Sequence, residues 1–144
     1  MRLALMSLAV VILCSCAPAH HVPEFSPGPP GPARPFSPAV RANGFLFLAG
    51  QLGTDSTGTV VAGGIKAETR QAMENIRAVL QRNGLSLTHV VKCTVFLADM
   101  KEWATMNAVY VTYFEPGRFP ARSAMGTSGL ALDGRVEIEC LAAE

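Results

Sequence analysis

The chain has 144 residues, of which 49% are hydrophobic, 16% charged and 7% aromatic. That is the length of one domain, with ample apolar surface to bury, and it excludes a disordered or solvating polymer. Twelve Lys and Arg stand against eleven Asp and Glu, for a formal net charge of +1, so no basic field exists to hold nucleic acid by bulk charge.

Residues 1–16 read as a signal peptide. Met1-Arg2 is a short positive start, and residues 3–13, LALMSLAVVIL, are apolar apart from Ser7. At ~1.5 Å per residue this run spans about 16 Å, against ~30 Å for a bilayer core, which points to export rather than to a membrane span. Leu13-Cys14-Ser15-Cys16 is similar to a bacterial lipobox, with Cys16 as the lipidated residue. Ordinary cleavage near Ala17 or Ala19, with two incidental cysteines, is the other reading. Lipidated, the protein would be periplasmic or membrane-anchored in a bacterial envelope, touching the membrane only through its lipid. Residues 17–35 read as a tether: eight of the ten prolines fall between positions 17 and 38. Proline fixes φ and removes amide donors, which forbids helix and central strand alike. His20 and His21 lie on this tether, where two ligands do not close a metal site.

A globular domain is expected over residues 36–144. Asn43-Gly44 between apolar runs is a hairpin signal, which places strands at 39–42 and 45–50. TDSTG at 54–58 is a turn, and Val60-Val61 a short strand ended by Gly63-Gly64. Residues 65–83 carry apolar positions at helical spacing (Ile65, Ala72, Met73, Ile76, Val79, Leu80), with Lys66, Glu68 and Arg70 assigned to the other side. Gly84 suits the left-handed position past the helix end. HVVKCTVFLA at 89–98 reads as a central strand, too apolar for one solvated face. A second helix is expected over 101–114, with Trp103, Met106, Asn107, Tyr110 and Phe114 as its inner stripe. Strands follow at 121–128 and 135–142. The resulting order is β-β-β-α-β-α-β-β, an α+β mixed sheet with two helices on one face. The other face has no helix left to cover it, and burial by further copies of the chain is the expectation.

Few residues in the domain carry chemistry. Cys93 and Cys140 lie on expected strands. As free buried thiols they behave as small hydrophobes, and in an exported protein they could pair. His89 is the only domain histidine, so neither a ribonuclease-type histidine pair nor a zinc cluster is available. In FPARS, Arg122 shares a strand face with Ala124 and Gly126, which leave room for a guanidinium to fork a planar carboxylate. An ordinary edge-strand arginine in water fits the same pattern. In VEIEC, alternation sets Glu137 and Glu139 on one face, about 7 Å apart at ~3.3 Å per residue. That pattern fits a pair of working carboxylates, or a solvated strand face. Asn107 is a polar break in an apolar stripe: a structural hydrogen bonder, or part of a site rim.

GQLG at Gly50–Gly53, ETRQAMENI at Glu68–Ile76, VVKCTVFLADM at Val90–Met100, MNAVYVTYF at Met106–Phe114, FPARS at Phe119–Ser123 and VEIEC at Val136–Cys140 resemble the RidA (YjgF, L-PSP) family in order and spacing, across essentially the whole domain. The resemblance implies a chorismate-mutase-like fold, a homotrimer with clefts between subunits, and hydrolytic deamination of small 2-imino (enamine) acids to 2-oxo acids and ammonia, without metal or organic cofactor. It assigns carboxylate binding to Arg122 and water positioning to Glu137, and places Gly50, Asn107, Phe36 and Ala124 in the cleft. Three positions depart from the pattern. Phe36 stands where tyrosine is usual, Ala49 where serine is common, and Ala124 where cysteine is usual, which makes the pocket more apolar. Arg122 and Glu137 are expected to converge, from neighbouring strands, on one small-acid cleft at a threefold seam. A non-catalytic trimer that captures small carboxylates is the alternative. An endoribonuclease, an activity also attached to the family, is disfavoured by neutral charge and a lone histidine.

Overall fold

The computed structural model describes residues 22–28 and 34–144. The expected signal peptide with Cys16, the two tether histidines and residues 29–33 lie outside the described residues.

Seven strands form one sheet in the order β1(Glu24–Phe25), β2(Ala39–Ala42), β3(Phe45–Leu48), β7(Val136–Ala143), β5(Val90–Leu97), β6(Ala121–Gly126), with β4(Gln51–Leu52) pairing separately on β7. β5 and β6 run parallel, and every other pair is antiparallel. The helices are α1(Gly64–Arg82) and α2(Trp103–Tyr110). The parallel β5–β6 pair exists because α2 lies between them in the chain, long enough to carry it back to the same end of the sheet.

The hairpin forms as its dipeptide requires. Asn43 and Gly44 both take positive φ, 50° and 77°, which a type I′ turn demands. Ala42 then pairs with Phe45 and Ala39 with Leu48. Alternation sends Leu46 and Leu48 into the core and leaves Phe45 and Phe47 exposed. The expected strand 45–50 is shorter and divided: it breaks after Leu48, and the chain resumes as β4 on β7. Val60-Val61 forms no strand, only an isolated bridge from Val60 to Thr54. Asp55 curls that segment into a turn by accepting the amides of Thr57 (2.8 Å) and Thr59 (3.1 Å).

The sheet also begins earlier than residue 36. Glu24 and Phe25 pair with Arg41 and Val40, and Ser26 donates to the Asn83 side chain at 2.5 Å. The flanking prolines do not prevent this, because an edge strand can leave amide positions unused.

α1 buries Ile65, Ala72, Met73, Ile76, Val79 and Leu80 against the sheet, as their spacing predicts. Glu68 and Thr69 are buried with them, at 4% and 0% exposure. Placing Glu68 on the outer side was therefore wrong: it stands four residues before Ala72, on the inner stripe. Its charge is met there by the Arg135 amide, which donates to it at 2.7 Å, and by the Arg135 guanidinium at 3.8 Å. Thr69 satisfies its hydroxyl by donating to the Ile65 carbonyl at 2.6 Å. Gly84 follows the helix with φ 76°. The second helix is shorter than expected, eight residues flanked by tight turns at Met100–Glu102 and Val111–Tyr113. Asp99 starts it by accepting the Lys101 amide.

Both helices lie on one face, over Val95, Leu97, Val136, Ile138 and Ala142. Cys93 and Cys140 are directly opposed on β5 and β7 under this layer, and they form a disulfide. The reading of two free thiols gives way to the pairing. Directly opposite positions on adjacent antiparallel strands bring the two Cα atoms to 4.1 Å, within reach of a bond between the side chains. On the opposite sheet face Phe45, Phe47 and Met125 are at least 40% exposed, beside the half-buried Phe96 and Leu141.

Candidate functional site

Arg122 lies on β6, the edge strand, in register with Cys93. It therefore projects from the helix-covered face. Its guanidinium carbon sits 4.6 Å from the centre of the Tyr110 ring and 5.8 Å from that of Trp103, both within cation–π range. Ala124 and Gly126 follow on the same face. The space beside Arg122 is kept small-sided, and Met100 already closes on Gly126, where an added Cβ would lie 2.9 Å from its Cγ. Trp103, Asn107 and Tyr110 occupy one stripe of α2, at i, i+4 and i+7. Asn107 is half-buried. Tyr110 is buried and its hydroxyl has no hydrogen-bond partner. Burial pushes its phenol up to about 12, and the Arg122 charge offsets only part of this.

Glu137 lies on β7 opposite Phe96 of β5, three residues along β5 from Cys93. An odd offset reverses the face, so Glu137 projects from the side without helices. β4 brings Leu52 beside it, and Gly50 approaches so closely that an added Cβ would fall on the Glu137 carboxylate, 2.9 Å from Cδ. Gly50 is therefore glycine for lack of space, not for its backbone angles. Gly50 and Phe36 also line an open cleft of about 710 Å³, with Gln51, Asn75 and Leu132 among its walls. Phe36 is 53% exposed.

The expected convergence of Arg122 and Glu137 from neighbouring strands is not found. The two strands are not neighbours, since β5 lies between them, and the side chains leave opposite faces. The six candidate residues instead fall into separate groups. Arg122, Asn107 and Ala124 belong to the α2–β6 side; Glu137 and Gly50 meet at the β4–β7 side, and Phe36 shares the open cleft with Gly50 and α1 rather than with Glu137. Among the described residues, neither Arg122 nor Glu137 makes an ion pair or a side-chain hydrogen bond. Two half-buried opposite charges thus stand without counter-charges.

Two rings stand beside Arg122 that its motif does not include. Trp103 and Tyr110 appear in the sequence only as core positions. The signal was their i, i+7 spacing around Asn107, together with a following strand that carries one arginine among small residues. His89 is structural: its Nδ1 accepts from the Ser86 amide at 3.2 Å. No group of three or more His, Cys, Asp or Glu that could hold a metal ion occurs among the described residues.

A family model described as Endoribonuclease L-PSP matches residues 28–144. A RutC family protein of Pyrococcus horikoshii is 47% identical over 119 residues, 82% of this chain and 94% of that one. A bovine protein named 2-iminobutanoate/2-iminopropanoate deaminase is 42% identical over 116 residues, 80% of this chain and 84% of its own. Among solved structures, RidA from an Antarctic Psychrobacter superposes with a TM-score of 0.74 at 35% identity, covering 80% of this chain and 93% of that one. E. coli TdcF with bound serine superposes with a TM-score of 0.73 at 31% identity, covering 80% and 92%. The chain belongs to the RidA/YjgF/L-PSP family.

Proposed function

We propose that the protein hydrolyses small 2-imino (enamine) acids to 2-oxo acids and ammonia, at sites assembled between the subunits of a homotrimer. One chain contributes Arg122, Asn107 and Ala124, and its neighbour contributes Glu137, Gly50 and Phe36. The observation that carries this reading is the pair of uncompensated charges on opposite faces of one sheet. Each half-site holds what the other lacks, and a rotational repeat brings unlike faces together. The exposed Phe45, Phe47 and Met125 supply apolar surface for such an assembly. Relatives named as 2-iminobutanoate/2-iminopropanoate deaminases support the reaction, and serine bound to TdcF supports a ligand of amino-acid size.

The chemistry asks little of the protein. The carbon of a protonated imine is electrophilic. Arg122 forks the substrate carboxylate and fixes its orientation. Glu137, as carboxylate, takes a proton from a water directed at C2 while the oxygen bonds to that carbon. The proton returns to nitrogen in the tetrahedral adduct; as the C–N bond breaks, the hydroxyl O–H electrons form the carbonyl and Glu137 takes that second proton and passes it to the departing ammonia, so that ammonium and the 2-oxo acid leave. No metal or organic cofactor is required by this sequence of steps. Export, with Cys16 as a lipid anchor, belongs to the same proposal. The Cys93–Cys140 disulfide supports it, because such bonds persist in oxidising compartments.

The decisive experiment is an imine-hydrolysis assay with 2-iminobutanoate generated in place, with particle size measured alongside. The intact protein is expected to accelerate ammonia release, and Arg122→Ala to lose it while keeping the oligomer. Equal rates for the two proteins reject the assignment. A carboxylate-binding trimer without turnover would bind 2-oxobutanoate and release no ammonia. The endoribonuclease in the family description is disfavoured by a net charge of +1 and by a domain histidine already engaged with Ser86.

A further inference from the structure

Arg122 is the one residue of its half-site whose side chain is long and flexible, so something must hold it in place before a ligand arrives. The structure shows two aromatic rings doing so. Tyr110 lies 4.6 Å and Trp103 5.8 Å from the guanidinium carbon, and no N–H of the fork is engaged by any described residue. A guanidinium held beside ring faces, with its N–H groups unengaged, keeps donors free for a carboxylate. The two rings differ in setting. Tyr110 is packed in the core at 2% exposure, whereas Trp103 is 38% exposed at the start of α2. Trp103 is thus the solvent-facing one of the two rings beside Arg122.

We propose that Trp103 is a positioning residue for the Arg122 anchor, closing over the guanidinium from outside while Tyr110 supports it from within. This rests on Arg122 being the carboxylate anchor of the reading above, and it adds a residue that the spacing of the sequence motifs does not assign. Aromatic contact is the requirement, since a ring face attracts the cation and an aliphatic side chain does not. The Tyr110 hydroxyl is not needed for this role.

Trp103 is the only tryptophan in the chain, which gives the test a direct reporter. Titration of the intact protein with 2-oxobutanoate is expected to change its tryptophan emission saturably, and Arg122→Lys to abolish most of that change. Trp103→Leu is expected to raise both the calorimetric Kd for 2-oxobutanoate and the KM for imine on the order of tenfold, with kcat within about twofold. Trp103→Phe, which restores a ring, is expected to stay within about threefold of the parent. The position is partly exposed, so both variants should fold; should the leucine variant fail to, the emission titration of the parent decides. Equal behaviour of the leucine and phenylalanine variants, or emission blind to saturating 2-oxobutanoate, overturns the proposal. Failure of 2-oxobutanoate to bind at all overturns the anchor itself. Binding reported by Trp103 without any ammonia release upholds the cradle and overturns only the deaminase reading.

Discussion

Arg122 and Glu137 project from opposite faces of the same sheet, because Arg122 is in register with Cys93 and Glu137 with Phe96 on the strand between them. No rotamer change moves a side chain through a sheet. Under the proposed deaminase reading, chemistry that uses both groups at once therefore needs two copies of the chain.

This geometry makes complementation quantitative. Arg122→Ala and Glu137→Gln are each expected to be inactive alone. Unfolded together in equal amounts and reassembled, they should recover about one quarter of parent activity. Each interface then has about one chance in four of joining an intact arginine to an intact glutamate. The same ammonia-release assay reads the outcome, and no recovery from verified mixed oligomers would show that each site is built from one chain.

The two glycines of GQLG do different work and should fail differently. A Cβ at Gly50 meets the end of the Glu137 side chain, which is flexible and can move aside; a Cβ at Gly53 meets the Glu68 backbone, 2.7 Å from its carbonyl oxygen. Gly50→Ala is expected to cost about tenfold or more in kcat by displacing the carboxylate, with little change in melting temperature. Gly53→Ala is expected to lose about 1–3 kcal/mol of stability by overpacking against helix backbone. Denaturant unfolding and kinetics on both variants separate the cases, and a stable, fully active Gly53→Ala would contradict the packing.

The chain contains two tyrosines, and both phenols are pushed up to about 12. Burial is the main cause in each, joined at Tyr113 by its hydrogen bond to Glu74 at 2.9 Å. Phenolate absorbance should therefore rise late, well above pH 10. The sign of the linkage follows: folding favours the protonated phenols, so their contribution to stability is intact below pH 10 and is lost as pH rises towards 12. Spectrophotometric titration with parallel melting curves checks both halves, and a midpoint near 10 for both groups would refute the burial. Tyr110→Phe removes an unpartnered buried hydroxyl and is expected to be neutral or slightly stabilising.

Cys93 and Cys140 close a long loop, 47 residues apart in sequence. The loop-entropy relation puts the contribution of their bond at up to about 4 kcal/mol. Intact mass after alkylation in denaturant should show neither thiol modified until reductant is added, and the reduced protein should unfold at lower denaturant. Modification of both thiols without reductant would exclude the bond.

Much of the architecture was legible from short-range pattern. Asn43-Gly44 announced its hairpin, the spacing from Ile65 to Leu80 announced α1, and Gly84 marked its end, because turn angles and helical period are properties of adjacent residues. The errors fell where residue type was set above position. Glu68 was assigned to solvent by its charge, although its place on the helix is interior; Arg135, distant in sequence, makes that burial tolerable.

By itself, the sequence determined the Asn43-Gly44 hairpin, the long first helix, the central strand at 90–97 and the two helices on one sheet face, since local period and turn chemistry suffice for these. Tertiary structure alone decided that β5 would separate β6 from β7, that Cys93 would meet Cys140, that two aromatic rings would cradle Arg122, and that Arg122 and Glu137 would part company. Strand order and register arise from contacts between segments far apart in the chain, and a single-residue step in register exchanges one face of a sheet for the other.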